Sequence, residues 1–285
     1  MNIARVFPRK TNATPIDSLT FFDRPGFLLP DIDEIHISVT FTYDISRARK
    51  LYKLWENIAP IKIGGPAFDD PGGNFIPGKY LKKGYIMTSR GCPNNCWFCS
   101  VHKREGNIRE LPITDGWNLL DSNILACSDG HIKAVFEMMK RQPKKAQLTG
   151  GLESKILTDY HIKLLWDLRP QQMFFANDTK DDLEPLIEAG KKLRYADFTR
   201  QHLRCYVLIG FPNDTMGMAE KRLLQTWEAG FMPMAMLYKN LKGDTNFEWG
   251  KFQRGWARPA ITKNLIKEIY NESLKQKGGQ KNIVK

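Results

Sequence analysis

Three thiols stand within eight positions of one another in SRGCPNNCWFCSV, residues 89–101. Cys92, Cys96 and Cys99 are spaced C-x3-C-x2-C, and no fourth cysteine lies nearby. Thiolates are soft ligands suited to zinc or to iron–sulfur clusters. A closed tetrahedral zinc site needs four protein ligands and would have to recruit a fourth, such as His102. A 4Fe–4S cubane takes one thiolate per iron, so three cysteines leave one iron open to a further ligand. Gly91, Pro93, Asn94 and Asn95 are turn formers, and a tight loop is what aiming three sulfurs at one object requires. Three unrelated buried thiols are the remaining reading.

The rest of the chain must position that loop. At 285 residues it can bury one substantial core, with or without a small appended domain. The five cysteines are an odd number, with Cys127 and Cys205 isolated in apolar runs, which fits a reducing compartment better than a secreted disulfide scaffold. The opening residues carry no apolar signal core and no run approaches a membrane span, so a cytoplasmic protein without membrane association is expected. The net charge of +12 would suit a polyanionic partner such as RNA or a nucleotide, but the lysines and arginines are scattered rather than striped and partly in the C-terminal tail, which puts a generally lysine-rich surface ahead.

The hydrophobic pattern predicts a strand at 33–41, a helix at 46–59 with Ala48, Leu51, Leu54, Trp55 and Ile58 on one stripe, and a strand at 61–68. A linker rich in Gly, Pro and Asp follows at 69–80. Further strands are expected at 84–89, 123–128, 146–150, 172–177, 203–210 and 233–238. Helices are expected around 128–141, 159–168, 181–189 and 215–229, with Asp129, Asp159, Asp181 and Asp214 near their starts as candidate caps. Strands alternating with helices imply a parallel sheet. The fold class is therefore α/β, a small Rossmann-like βαβ unit followed by an open partial (β/α)6 barrel related to the TIM barrel. In such folds the loops after the strands carry the chemistry, and the cysteine loop follows the first core strand. The domain reading is 1–80, a Rossmann unit with linker; 81–240, the barrel core; and 241–285, an aromatic and basic extension with a disordered tail. In that extension Trp249, Phe252 and Trp256 recur at helical spacing, a stripe for closing a core more than for stacking on bases.

The C-x3-C-x2-C spacing with Phe98 just before the third cysteine, on the loop after the first strand of a six-unit α/β chain, resembles the radical S-adenosylmethionine (SAM) superfamily over residues 84 to about 240. The resemblance implies that Cys92, Cys96 and Cys99 hold a 4Fe–4S cluster whose fourth iron chelates SAM. Reductive cleavage then yields a 5′-deoxyadenosyl radical that removes hydrogen from a substrate. It also implies an electron donor such as flavodoxin or ferredoxin. Phe98 matches the position that borders the adenine, and would equally serve as a lid on the cluster. For the SAM amino group two sets compete: Asp121 and Asn123, taken to precede the second strand, and Gly150, Gly151 and Glu153, which follow the third. Asn177 and Asp178 match the ribose contacts, with a helix cap as the alternative. VLIGFPNDT (207–215) resembles the fifth-strand segment of the cobalamin-linked and methylthiotransferase-like branches, where Gly210 lets the backbone pass close to adenine.

The N-terminal unit resembles a truncated cobalamin-binding domain, so the cobalamin-linked branch is the nearest. It has too few residues for a full domain and lacks a D-x-H-x-x-G stretch. His36 therefore reads as a strand residue, and cobalamin is not expected. Methylthiotransferases of the superfamily carry a second cluster on three earlier cysteines, and none precedes Cys92 here, which disfavours that activity. Cys127 is either a hydrogen donor to a substrate radical or a small buried thiol. The substrate stays open, with RNA or nucleotide modification ahead of peptide modification. Two rivals to catalysis are a zinc-binding, nucleic-acid-associated module and a radical SAM-like scaffold that binds a partner without turnover.

Overall fold

The computed structural model describes residues 1–244 and 246–280, with side chains to residue 271. The chain divides into two compact units, residues 1–173 with 241–243 and residues 174–240 with 244–285.

Within the first unit, four parallel strands β1 (Ile3–Val6), β2 (Thr20–Phe21), β3 (Glu34–Ser38) and β4 (Ile61–Gly64) stand in the order β2-β1-β3-β4. Helix α1 (Ile45–Trp55) packs Ala48, Leu51 and Trp55 onto Ala4, Val6, Ile35, Ile37 and Val39. The expected stripe is shorter than its periodicity suggested: α1 ends at Trp55, and Leu54 and Ile58 face solvent. The sequence reading missed β1, and its central residue explains why. Arg5 is buried between apolar neighbours, its guanidinium held by the Asp17 carboxylate and the Gly78 and Lys79 carbonyls. A paired arginine inside a strand hides the apolar run. A small cleft lined by Arg9, Thr11, Thr14, Thr40, Phe41 and Asp44 opens beyond the C-terminal ends of β1 and β3.

The same unit holds β5 (Tyr85–Ile86), an antiparallel pair β6 (Ser89–Arg90) and β7 (Arg109–Glu110), then β8 (Asn118–Leu119) and β9 (Gln147–Leu148). Strands β5, β8 and β9 are parallel neighbours, and β9 pairs in turn with the start of β10 (Gln172–Ala176). Between them run α2 (Val101–Glu105), α3 (Asp129–Lys140) and α4 (Asp159–Leu168). The second core strand is a correction. It is β8, not 123–128, where Ile124–Ala126 forms a single 3₁₀ turn. A short buried apolar run does not distinguish strand from turn. The true strand carries the polar Asn118, satisfied by the Gln147 and Thr149 side chains. Asp121 and Asn123 consequently follow the second strand instead of preceding it.

The unit boundary falls inside β10. The second unit continues with α5 (Leu183–Tyr195), β11 (Leu203–Ile209), α6 (Met216–Glu228), β12 (Met232–Leu237), α7 (Phe247–Trp256) and α8 (Pro259–Gln280). Strands β10, β11 and β12 are adjacent in that order, and β11 and β12 pair parallel from Arg204↔Met232 to Ile209↔Leu237. Val207, Ile209, Ala219, Leu223, Ala235, Trp256 and Ile266 form the core. Trp249 and Phe252 of α7 pack against it, so the aromatic stripe is structural. Helix α5 runs to Tyr195, well past the expected end. The caps are hydroxyls rather than carboxylates: Ser128, Thr158 and Thr215 accept the third helical amides of α3, α4 and α6. The expected disordered tail is helical in backbone through Gln280, and its last five positions lie outside the described residues. The architecture is α/β with parallel sheets, and no described helix is long and apolar enough to cross a membrane.

Asp214 anchors the turn after β11. Its side chain, wholly buried, accepts from the Gly210 amide at 2.9 Å and from both Arg222 Nη atoms at 3.0 and 2.7 Å. Removing one partner of a buried ion pair strands the other, so Asp214→Ala should cost about 3–5 kcal/mol. Thermal denaturation followed by circular dichroism should show a midpoint roughly 6–20 °C lower.

Candidate functional site

The cysteine loop is strung between the paired strands β6 and β7. It leaves β6 at Gly91, whose φ of +86° and close approach to Asn107 leave no room for a side chain: a Cβ would sit 2.2 Å from the Asn107 carbonyl oxygen. The Cys92 amide donates to the Gly106 carbonyl at 3.1 Å, closing the loop at its base. The Cys99 amide donates to the Cys96 carbonyl at 3.0 Å, so the second and third cysteines share one turn. None of the three is in a disulfide, and each is neither fully buried nor fully exposed. Burial pushes the Cys92 thiol up, with the Glu153 and Cys99 charges adding to it; the Asn94 amide and the Asn123 side chain act in the opposite sense. Phe98 meets the exposed Trp97 edge to face, ring centres 5.4 Å apart.

Among the described residues, no three His, Cys, Asp or Glu side chains are grouped tightly enough to hold one metal ion. His102 Nδ1, a candidate fourth ligand in the zinc reading, is buried and has no hydrogen-bond partner among the described residues. A single zinc would draw four ligands to within about 2.3 Å of one centre. A cubane makes a different demand, because each thiolate binds its own iron.

The residues after β8 and β9 meet that loop. Asn123 Nδ2 lies 4.0 Å from Cys92 Sγ and donates to Glu153 Oε2 at 2.6 Å. The two sets that the sequence presented as rivals are therefore parts of one constellation. Gly150 makes the meeting geometrically feasible: a Cβ there would stand 2.1 Å from the Asp121 carbonyl oxygen, so the two chain segments touch backbone to backbone. A Cβ at Gly151 would stand 3.3 Å from the Ser122 carbonyl oxygen, tight but without the clash that Gly150 avoids. Asn123 Oδ1 is buried and accepts no hydrogen bond among the described residues. Next to a carboxylate, an unfilled acceptor of this kind suits a ligand that donates, such as an ammonium group.

Asp121 is occupied differently. One carboxylate oxygen accepts from the Thr88 amide and the other from the Thr88 and Ser89 hydroxyls, each at 2.7 Å. Burial still raises its pKa against those bonds. Its visible work is to hold the start of β6, and hence the root of the cysteine loop. Thr88 and Glu105, whose carboxylate accepts from the Gly91 amide, were not found from sequence, since nothing in their spacing marks them. Cys127 lies on a turn and not at a strand end, buried, with its thiol pushed up to about 11 by desolvation. His36 bonds Tyr80 and Glu34 within the N-terminal sheet, as a strand residue would.

Asn177, Asp178 and Gly210 belong to the second unit. Asn177 is buried and donates to Thr226 Oγ1 at 2.9 Å. Asp178 Oδ1 accepts from the Leu208 amide at 2.8 Å, while the cap of the next turn is Thr179. The space beside Gly210, which has φ +69°, is taken by Leu237 and Trp249. Desolvation raises the Asp178 carboxyl to about 6, with Asp182 adding to it.

No family model matches the chain. Among curated proteins, the chain is similar to ribosomal protein uS12 methylthiotransferase RimO of Actinobacillus succinogenes, 27% identical over 152 residues. The match takes in 48% of this chain and spans about a third, 34%, of that protein's length. Likeness of that degree hints at the radical SAM superfamily and at an enzyme, at the coarsest level.

Gly150→Ala forces Cβ into the Asp121 carbonyl and should destabilise the protein by about 1–3 kcal/mol while detaching Glu153 from Asn123. Urea denaturation reads the first effect, and chemical shifts of the Asn123 side-chain amide the second. Asp178 carries a signed pH effect. Its folded pKa of about 6 lies above the ordinary 3.8, so stability falls as pH rises between those values and is flat above, a cost of about 3 kcal/mol at pH 7. Asp178→Asn keeps an acceptor for the Leu208 amide. It should stabilise the fold at pH 7 by about 1–3 kcal/mol and lose that advantage near pH 4, as measured by urea midpoints at the two pH values.

Proposed function

We propose that the chain is a radical SAM enzyme on an open six-stranded α/β barrel, with Cys92, Cys96 and Cys99 holding a 4Fe–4S cluster. The observation that carries this reading is the constellation of Cys92, Asn123 and Glu153, in which a cluster-type thiol adjoins a carboxylate and an unfilled buried acceptor. When bound, the cluster and SAM supply reductive scission of a carbon–sulfur bond and radical abstraction of hydrogen from a substrate.

The protein's own residues supply position. Glu153 Oε2 and Asn123 Oδ1 are two acceptors for the amino group of SAM, and a buried cation requires such oxygens. Gly150 and Gly151 keep those acceptors together, and Asp121 fixes the strand that leads into the cysteines. Phe98, on the loop itself, borders the adenine. The family resemblance by itself assigns Asn177 and Asp178 to the ribose hydroxyls and Gly210 to the adenine. A small acidic electron carrier of the flavodoxin or ferredoxin type suits the basic chain, in a cytoplasmic setting.

The substrate class that the charge of +12 favours is RNA or a nucleotide. The likeness to a ribosomal protein methylthiotransferase favours a second reading, sulfur transfer to a protein side chain.

Anaerobic reconstitution should give iron and sulfide near about four per chain. With SAM and dithionite the enzyme should form 5′-deoxyadenosine, and Cys96→Ala should fall to the level of a protein-free control. Equal product from both proteins refutes catalysis and leaves a binding scaffold. A single tightly held zinc refutes the cluster.

A further inference from the structure

Glu105 closes the cysteine loop from the far side. It is the last residue of α2, and its side chain is only 6% exposed. One carboxylate oxygen accepts from the Gly91 amide at 3.0 Å; the other takes Arg104 Nε and Nη2 at 3.0 and 2.8 Å. Arg90 Nη1 stands 3.9 Å from that second oxygen. Gly91 is the residue before the first cysteine, so the acid ties the end of the loop to its beginning, one residue from the Cys92–Gly106 backbone bond.

The anchor extends outward to the Gly-, Pro- and Asp-rich segment at 69–80. Arg90 Nε donates to the Gly73 carbonyl at 3.2 Å, and Arg109 Nη2 to the Gly72 carbonyl at 3.0 Å. Gly72 sits so close to the Arg90 guanidinium that a Cβ would fall 2.5 Å from its Cζ. The glycine pair inside the expected linker is thus strapped onto the two strands that frame the cysteines.

We infer that Glu105 is the positioning residue of the cysteine loop, setting how tightly the loop retains its cluster by holding the Gly91 amide. This rests on the cluster reading above. The carboxylate touches no cysteine: it shapes the turn from which Cys92 departs, and outer groups of this kind are worth roughly 10–100-fold in metal retention. Reach and charge make separable contributions. Glu105→Gln keeps the length and an acceptor for Gly91 but discards the charge that Arg104 and Arg90 neutralise. Glu105→Asp keeps the charge and is one methylene too short to span to Gly91.

The test is chelator-driven loss of the visible absorbance of the reconstituted cluster, with iron and sulfide content and thermal midpoint measured on the same samples. Glu105→Asp should release iron roughly 10-fold faster than the unaltered protein, and Glu105→Gln within about twofold of it, each protein being compared at the same interval below its own thermal midpoint. Release from Glu105→Asp at the unaltered rate, or from Glu105→Gln as fast as from Glu105→Asp, overturns the inference. If the unaltered protein takes up no iron and sulfide, the cluster reading fails by itself. Hydrogen exchange at the Gly91 and Cys92 amides then decides the clamp: protection lost in Glu105→Asp and kept in Glu105→Gln supports it, and equal protection in all three refutes it.

Discussion

Backbone lying on backbone where β8 and β9 end is the constraint on which the candidate site depends. Parallel strands deliver their following loops to one edge of the sheet, but side chains normally keep those loops apart. At Gly150 the separation is removed: the chain passes so near the Asp121 carbonyl that no Cβ fits. Glu153 can then reach Asn123, and Asn123 can reach Cys92. A methyl group at position 150 would act on all three residues at once without touching any of them.

Buried carboxylates do the remaining positioning, each by accepting backbone amides. Asp121 takes Thr88, Glu105 takes Gly91, Asp178 takes Leu208 and Asp214 takes Gly210. Asp121 and Asp178 follow strands and Asp214 sits in the turn after β11, whereas Glu105 ends α2; in each case the acid pairs an amide that would otherwise go unpaired. Their environments differ. Asp214 and Glu105 face arginines, whereas Asp121 and Asp178 are held by neutral donors and are pushed toward protonation by desolvation. The first two serve as ion-paired anchors; the latter two retain a carboxyl at a cost in stability.

Much of the fold could be read along the chain, for reasons visible in particular residues. Strands β11 and β12 and helices α3, α4 and α6 announce themselves by long apolar periodicity, and the structure places them within a few residues of expectation. Strands β1 and β8 escaped because Arg5 and Asn118 put buried polar groups inside them, satisfied only by partners distant in sequence. The helix starts were assigned to aspartates because an acid there suits unpaired amides, yet the adjacent hydroxyls of Ser128, Thr158 and Thr215 make the bonds.

What the sequence determined by itself was local chemistry: three thiols on a turn-rich loop, a helical aromatic stripe from Trp249 to Trp256, and an alternation of strand and helix that demands a parallel sheet. Those follow from spacing, and spacing is a one-dimensional property. Only the tertiary structure decided that the acceptor sets around Asn123 and Glu153 are one set, that Asp121 serves the backbone of β6, and that Glu105 and the Gly72–Gly73 linker brace the cysteine loop. Hydrogen bonds between residues some 15 to 30 positions apart depend on which strands lie side by side, and that is set by the packing of the whole sheet.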